Sequence, residues 1–462
     1  MKEIIIIGGG LAGCEAALQI AKEKIPVKLY EMKPKKFSDA HCSENLSEIV
    51  CSNSFKSNLL TNACGLLKEE LRILGSYLIE EADKNSVPAG QALAVDREKF
   101  SEAITRIVEE NEYIDVIREE LTYIPEESIV IIATGPLTSE SLSEKIRELT
   151  GEDRLYFYDA AAPIIEKDSI DMNIAFYGDR YEQERALDEP EDSWRERIKG
   201  NPESYINLPM NKEEYEKFFE ELVNAEIVTL HDFEKKEIFE GCMPVEIMAK
   251  RGIDTLRFGP LKPVGFTDLR TARRPYAVVQ LRQDNAEGNL YNMVGFQTNL
   301  KFGEQKRVFS MIPGLENANF VKYGVMHRNT YIDSTKLLDK TYKVKNKDVF
   351  FAGQITGVEG YVESISSGFV AAKNAIVLYN LYKNDDSNIL EEYEKEKVVY
   401  DEKTVIGALS KYISTENENF QPMNANFGIL PELEIKIKDK KQRNQAFADR
   451  SINIIKASVK WY

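Results

Sequence analysis

"KEIIIIGGGLAGCEAALQIAKEKIPVKLYEMKP", residues 2–34, decides the fold. Ile4 to Ile7 is a continuous apolar run, which suits a strand buried on both faces. Gly8, Gly10 and Gly13 form GxGxxG, and the segment that follows has helical spacing, with Ala12, Ala16, Ala17 and Ile20 on one face. Val27 to Tyr30 reads as a second strand, closed by Glu31. Each piece has a physical task. Gly8 allows a tight turn, Gly10 lets the backbone approach a pyrophosphate, and Gly13 lets the helix pack closely on the strand. Leu11 and Ala12 open a helix whose N–H groups and dipole face the phosphates. Glu31 can accept both hydroxyls of a ribose. Strand, glycines, helix, strand and acid in this order predict dinucleotide binding, where a lone glycine pattern would not.

Two later segments bear on which dinucleotide. "SIVIIATGPLT" (128–138) predicts a strand running into Ala133, Thr134 and Gly135. "KDVFFAGQITGVEGYVESISSGFVAAKNAI" (347–376) predicts a strand ending at Gly353, a loop through Gln354 and Gly357, then a helix rich in small residues. The pair resembles the segments that frame an FAD in two-dinucleotide flavoproteins, so FAD is expected rather than NAD. The expected fold class is therefore α/β. A discontinuous Rossmann-like FAD-binding domain of the glutathione-reductase type would occupy 1–160 and 325–462. An inserted α+β substrate domain with an antiparallel sheet would occupy 161–324. No second GxGxxG occurs, so NAD(P)H is expected to dock briefly against the flavin.

The 462 residues carry a formal net charge of −17, which taken whole argues against a nucleic-acid partner. The charge is uneven. Residues 179–221 hold 7 Lys/Arg against 14 Asp/Glu, whereas 245–310 hold 11 against 6 and 432–462 hold 8 against 4, so local basic surface is compatible with an anionic substrate. No run of about 18 apolar residues is present, so no membrane helix is expected. The N-terminal isoleucines meet glycines instead of a cleavage site, so the protein is expected to stay in the cytoplasm. Cys14, Cys42, Cys51, Cys64 and Cys242 are odd in number and mostly at one end, which argues against a disulfide framework. There is no CxxC pair, and His41, His231 and His327 are scattered, so no metal site is expected.

Beyond these patterns, longer phrases occur in order: "GGGLAGCEAA", "LSEIVCSNSFKSN", "GLLKEELRILGS", "VPAGQALAVDREKFS", "FEGCMPVEIMAKRGIDTLRFGPLKPVG", "YGVMHRNTYI" and "AGQITGVEGYVESISSG". With them the chain resembles the bacterial FAD- and methylenetetrahydrofolate-dependent tRNA (uracil-C5)-methyltransferases, which make ribothymidine in the T-loop. The next resemblance is to the FAD subunit of the tRNA wobble-uridine carboxymethylaminomethyl system, a longer protein that needs a GTPase partner and lacks the "GCMPVE…RFGPLKPVG" block. Some members of the first family act on a uridine of large-subunit ribosomal RNA, which stays open as an alternative substrate. A non-catalytic RNA-binding flavoprotein is a third reading. The first resemblance implies an RNA partner, no obligatory protein partner and no membrane.

Methylating C5 of uracil requires that this poor nucleophile be activated. A thiolate adds to C6, C5 attacks an activated one-carbon unit, a base removes the C5 proton, the thiol leaves, and a hydride completes the methyl group. The resemblance implies that 5,10-methylenetetrahydrofolate supplies the carbon by way of reduced FAD, with NAD(P)H as reductant. It also implies that Cys242 is the nucleophile and Cys51 a second catalytic thiol, assigned as general acid/base. Arg251 and Arg257 near Cys242, and Lys56 near Cys51, are positive neighbours that could favour the thiolates. Cys14, Cys42 and Cys64 are expected to be small buried hydrophobes. Candidate folate or substrate contacts are Asn53 and Ser54 beside Cys51, then Gln91, Asp96 and Arg97, then the trio His327, Arg328 and Asn329. Arg270, Arg273, Arg274 and Arg282 are candidate phosphate contacts, or residues on a solvated strand face after Pro275. Residues 211–225 predict an amphipathic helix, and the basic tail 432–462 a helix near the RNA.

Overall fold

The computed structural model describes residues 2–38, 40–151, 155–180, 190, 193, 205–228, 243–268, 270–384, 388–417 and 420–459, with the backbone alone at 155–160 and 326–328. Cys242 and Gly241, His231 and most of the acidic stretch 179–221 lie outside the described residues.

The isoleucine run becomes the middle strand of a five-stranded parallel sheet. Its order is Val349–Phe351, Ile129–Ile132, Ile4–Ile7, Val27–Tyr30, Ile114–Ile117. Ile4 is in register with Val27 on one side and Ile129 on the other. A strand covered by helices on both faces needs apolar residues at every position, and all four isoleucines are buried. The first helix, Leu11–Lys22, packs against the long helix Tyr361–Lys383. Small residues set that distance: a Cβ on Gly368 would lie 2.2 Å from the Ala12 carbonyl oxygen. The sheet thus takes strands from both ends of the chain.

Between those ends lies a six-stranded antiparallel sheet, in the order Phe176–Tyr177, Ile206–Met210, Ala277–Gln283, Leu290–Met293, Ile164–Glu166, Phe320–Lys322. It has its own core, in which Tyr215, Phe218 and Leu222 of the helix Lys212–Asn224 meet Phe296 and Phe309. That helix begins with a capping box: Asn211 Oδ1 accepts the Glu214 N–H at 2.8 Å, and the Glu214 carboxylate accepts the Asn211 N–H at 2.7 Å. Where the chain leaves and re-enters the first region, Leu155–Ala160 pairs antiparallel with Met326–Tyr331.

The basic tail forms the helix Lys440–Val459 and docks on the helix Ala63–Leu74. Buried Glu70 ties this corner together. Its carboxylate accepts the N–H groups of Val405 and Ile406, each at 2.8 Å, and the Ser451 hydroxyl. Burial pushes the Glu70 carboxyl up to about 7, against these hydrogen bonds. Among the described residues no helix is long and apolar enough to cross a membrane.

Candidate active site

A cleft opens at the carboxyl ends of the parallel strands, where open α/β sheets bind ligands. Its lining includes Gly8, Gly10, Leu11, Ala12 and Glu31 from the first unit, Thr134 and Gly135 after the strand Ile129–Ile132, and Gly353, Gln354, Tyr361 and Ser364 from the late segment. Gly8 has φ +106°, and a Cβ there would meet the Ala133 carbonyl oxygen at 2.5 Å. Gly13 does not line the cleft but makes it possible, since its Cβ would stand 1.9 Å from the Gly8 oxygen. A Cβ on Gly10 or Gly135, in contrast, would meet nothing within 4 Å. Those two glycines face open space, the cradle that a pyrophosphate and its sugars require. Two helix N-termini open onto it, through Leu11 and Tyr361.

Glu31 is held in place by its own backbone surroundings. Its two carboxylate oxygens accept the N–H groups of Gly9 and Lys33, both at 2.9 Å. Each oxygen keeps lone pairs for a further donor, as ribose binding needs. The Gly353 N–H donates to Ser367 Oγ at 2.7 Å, and Gln354 donates to both oxygens of Glu359 at 2.9 Å. The Thr134 hydroxyl pairs with that of Thr138 at 2.6 Å. Gly357 lies behind the cleft, at φ +85°, where a Cβ would clash with the Phe420 ring. The donor set and the open cradle fit FAD.

Cys51 is half-buried at the edge of this cleft, one residue after Val50, which lines it. The N–H groups of Cys51 and Ser52 both donate to the Tyr361 hydroxyl, at 3.1 and 3.2 Å. Tyr361, which lines the cleft, is a contact of Cys51 that the sequence reading missed. Its signal was its place directly after Gly360, at the start of the late helix.

Several expectations are corrected. Asn53 is fully buried and does not face a ligand: it donates to the carbonyls of Val95 at 3.0 Å and Gln283 at 2.8 Å. Arg97 is likewise committed to the protein, donating to the carbonyls of Ile49 at 3.0 Å and Val50 at 3.2 Å and pairing with Asp284 at 3.0 Å. Asp96 caps the helix Arg97–Glu109 and accepts the Ala286 N–H at 2.7 Å. Arg270 pairs with Asp268 and Glu214, and Arg282 is buried rather than solvated. Gln91, Arg273 and Arg274 are exposed. Asn329 is buried on the strand Met326–Tyr331, while the side chains of His327 and Arg328 lie outside the described residues.

The thiols separate by environment. Cys14 is enclosed and burial pushes it up to about 12; Cys64 is pushed up to about 11 in the same way. Both are inert core residues, as expected. Cys42 corrects the expectation: it is exposed, with its Sγ 3.4 Å from Glu48 Oε1. Lys56 turns toward Asn424, at 2.6 Å, and Glu363, at 3.5 Å. Arg257 stacks over Tyr276, 3.5 Å from the ring centre, and pairs with Asp254. The chain just after Cys242 is firmly anchored. The Val245 N–H donates to the Gln297 carbonyl at 2.7 Å, and buried Glu246 accepts the Thr298 hydroxyl at 2.9 Å and the Asn299 N–H at 2.8 Å.

Parallel sheet, glycine turn and cleft define an α/β protein with a Rossmann-like, FAD-binding fold. The family model described as "Glucose inhibited division protein A" matches residues 3–381. The chain is 56% identical over 461 residues, 99% of each chain, to the methylenetetrahydrofolate–tRNA-(uracil-5-)-methyltransferase TrmFO of Acetivibrio thermocellus. It is 56% identical over 460 residues to that of Fusobacterium nucleatum, again covering 99% of each, and 55% identical over 457 residues to that of Bacillus subtilis, covering 98% of each. Among solved structures it resembles Aquifex aeolicus GidA, with a TM-score of 0.65 at 16% identity, over 99% of this chain and 73% of that one. The chain belongs to the family that the division-protein model describes and, within it, to the TrmFO family.

Proposed function

We propose that this protein transfers a one-carbon unit from 5,10-methylenetetrahydrofolate to C5 of a uridine in RNA, the T-loop uridine of tRNA that becomes ribothymidine. The full-length identity of 56% to relatives named for this reaction carries the reading. In it, FAD bound at the glycine turn supplies redox and one-carbon chemistry, and NAD(P)H is the reductant. Gly8, Gly10, Gly13 and the first turn of the helix Leu11–Lys22 hold the pyrophosphate, Glu31 the ribose, and Thr134, Gly135, Gly353 and Gln354 line the remainder. Cys242 adds to uracil C6 as the thiolate, and Cys51 exchanges a proton as general acid/base. Tyr361 fixes the backbone at Cys51. Gln91, Arg273 and Arg274 are exposed contacts for RNA or folate, and His327, Arg328 and Asn329 complete the candidate set. The FAD-binding domain comprises 1–160 and 325–462, with 161–324 inserted as the substrate domain. The protein acts in the cytoplasm without an obligatory partner subunit.

The test is direct. Purified protein is incubated with FAD, NAD(P)H, folate labelled in its methylene carbon, and either T-loop RNA or large-subunit ribosomal RNA. Label at uridine C5 of the T-loop RNA is expected. Label in the ribosomal fragment alone would move the substrate, and label in neither would end the proposal.

A further inference from the structure

We infer that Arg282 is a positioning residue for the Cys51 thiol, so that the antiparallel sheet helps set where this thiol stands; the inference rests on the role proposed for Cys51. Arg282 lies on the strand Ala277–Gln283 and is 7% exposed. Its Nε donates to Asn53 Oδ1 at 2.9 Å, and its Nη2 donates to Ser52 Oγ at 2.6 Å. Asn53 answers with its Nδ2, which donates to the carbonyl of Gln283 at 2.8 Å. The two segments are therefore locked reciprocally. On the other flank of Cys51, Arg97 grips the carbonyls of residues 49 and 50, and it is itself paired to Asp284, two residues after Arg282. Residues 49, 50, 52 and 53 are each held by a guanidinium, and Cys51 stands between them.

A buried cation is a costly way to fill a sheet. Val278, on the same face of the strand, is buried with Phe176 and Phe266 and shows that an apolar side chain can serve on this face. Among the described residues no carboxylate forms an ion pair with Arg282. Burial pushes the guanidinium pKa down, against the attraction of Asp284 at longer range. What a guanidinium adds is a rigid planar fork that fixes the direction of two acceptors at once, where a lysine's donors rotate on a flexible stem. Two-point fixation next to a reacting thiol is the kind of support that holds a site within a fraction of an ångström.

The experiment uses the FAD-loaded full chain and three variants, Ser52→Ala, Arg282→Lys and Arg282→Gln. Ser52→Ala removes the 2.6 Å bond, and with it the acceptor for the Ser54 N–H at 3.2 Å, while leaving the buried arginine in place. Alkylation of Cys51 by iodoacetamide is mapped by mass spectrometry, with exposed Cys42 as internal reference. Methyl transfer, FAD content and Tm are measured alongside. In Ser52→Ala, kcat is expected to fall about 10- to 100-fold, as small misplacements of reacting groups do, with KM for RNA and FAD content unchanged and a several-fold change in the Cys51/Cys42 alkylation ratio. Arg282→Lys should fall between wild type and Arg282→Gln. Wild-type alkylation and kcat in Ser52→Ala would overturn the inference, as would kcat losses that merely track lost FAD or Tm. If wild-type protein transfers no label, the proposed function fails, and the alkylation ratio still decides the role of Arg282.

Discussion

The two sheets handle buried polarity in opposite ways. In the parallel sheet, Ile4–Ile7 and Ile129–Ile132 are buried along their whole length and carry no polar side chain. Its chemistry lies past the strand ends, in backbone groups exposed by Gly8, Gly10 and Gly135. The antiparallel sheet instead carries Asn207, Arg282, Gln283 and Asn292 within its strands, all buried. Two of these, Arg282 and Gln283, cross to the Cys51 loop. The first sheet binds by backbone and has no room for a Cβ at Gly8 or Gly13, whereas the second reaches the Cys51 loop with the Arg282 side chain and the Gln283 carbonyl. A cofactor shared by many reactions suits the first design, and a reaction-specific thiol suits the second.

The largest effect should come where both designs meet. Cys51→Ala and Cys242→Ala should each lower methyl transfer by at least about 10³-fold, with FAD content at the wild-type level. Loss of FAD in either would mean that the residue supports the fold instead of the chemistry.

The parallel side breaks by addition. Gly13→Ala places a methyl group against the Gly8 oxygen, a backbone atom that cannot move without opening the turn. Loss of bound FAD and about 3 kcal/mol or more of stability are expected, measured by flavin absorbance and denaturant titration. Retained FAD would contradict the close packing on which the cradle depends.

Glu70 lies apart from both strategies and serves as a control. Its folded pKa of about 7 exceeds the unfolded value of 4.5, so the folded protein keeps a proton that the unfolded chain has released. Its contribution to stability is therefore fully present below pH about 4.5 and is lost as pH rises through about 7, on the order of 3 kcal/mol in all. Glu70→Gln should flatten that slope in pH-dependent unfolding and leave the relative alkylation of Cys51 unchanged.

The smallest effect belongs to the exposed arginines. Arg273→Ala and Arg274→Ala should each weaken RNA binding modestly and lower the salt slope of the affinity by about 1, with kcat at saturating RNA unchanged. An unchanged slope would remove them from the RNA contacts.

These differences also explain what the sequence made legible. The glycine turn, its strand and Glu31 are local, and local geometry dictates residue type, so they could be read in one pass. The helix Lys212–Asn224 was equally plain, since its periodicity and its Asn211 cap lie in adjacent residues. Asn53, Arg97 and Arg282 looked like ligand contacts because polar residues near a catalytic motif usually are. Their true partners lie 229 or 230 residues away for the Asn53 bonds and 187 for Arg97–Asp284, set by how the two sheets dock. No periodicity reports such pairings. Tyr361 escaped for the same reason, with its hydroxyl meeting residues 310 and 309 positions earlier.

Cys51 and Cys242 are proposed to serve one site. A short homobifunctional maleimide applied to the FAD-loaded Cys42→Ser protein is the test, because Cys14 and Cys64 are buried and shielded from the reagent. An intramolecular crosslink between the peptides carrying Cys51 and Cys242, blocked by bound T-loop RNA, is expected. Separate single adducts on each thiol, with no crosslink at any reagent level, would contradict it.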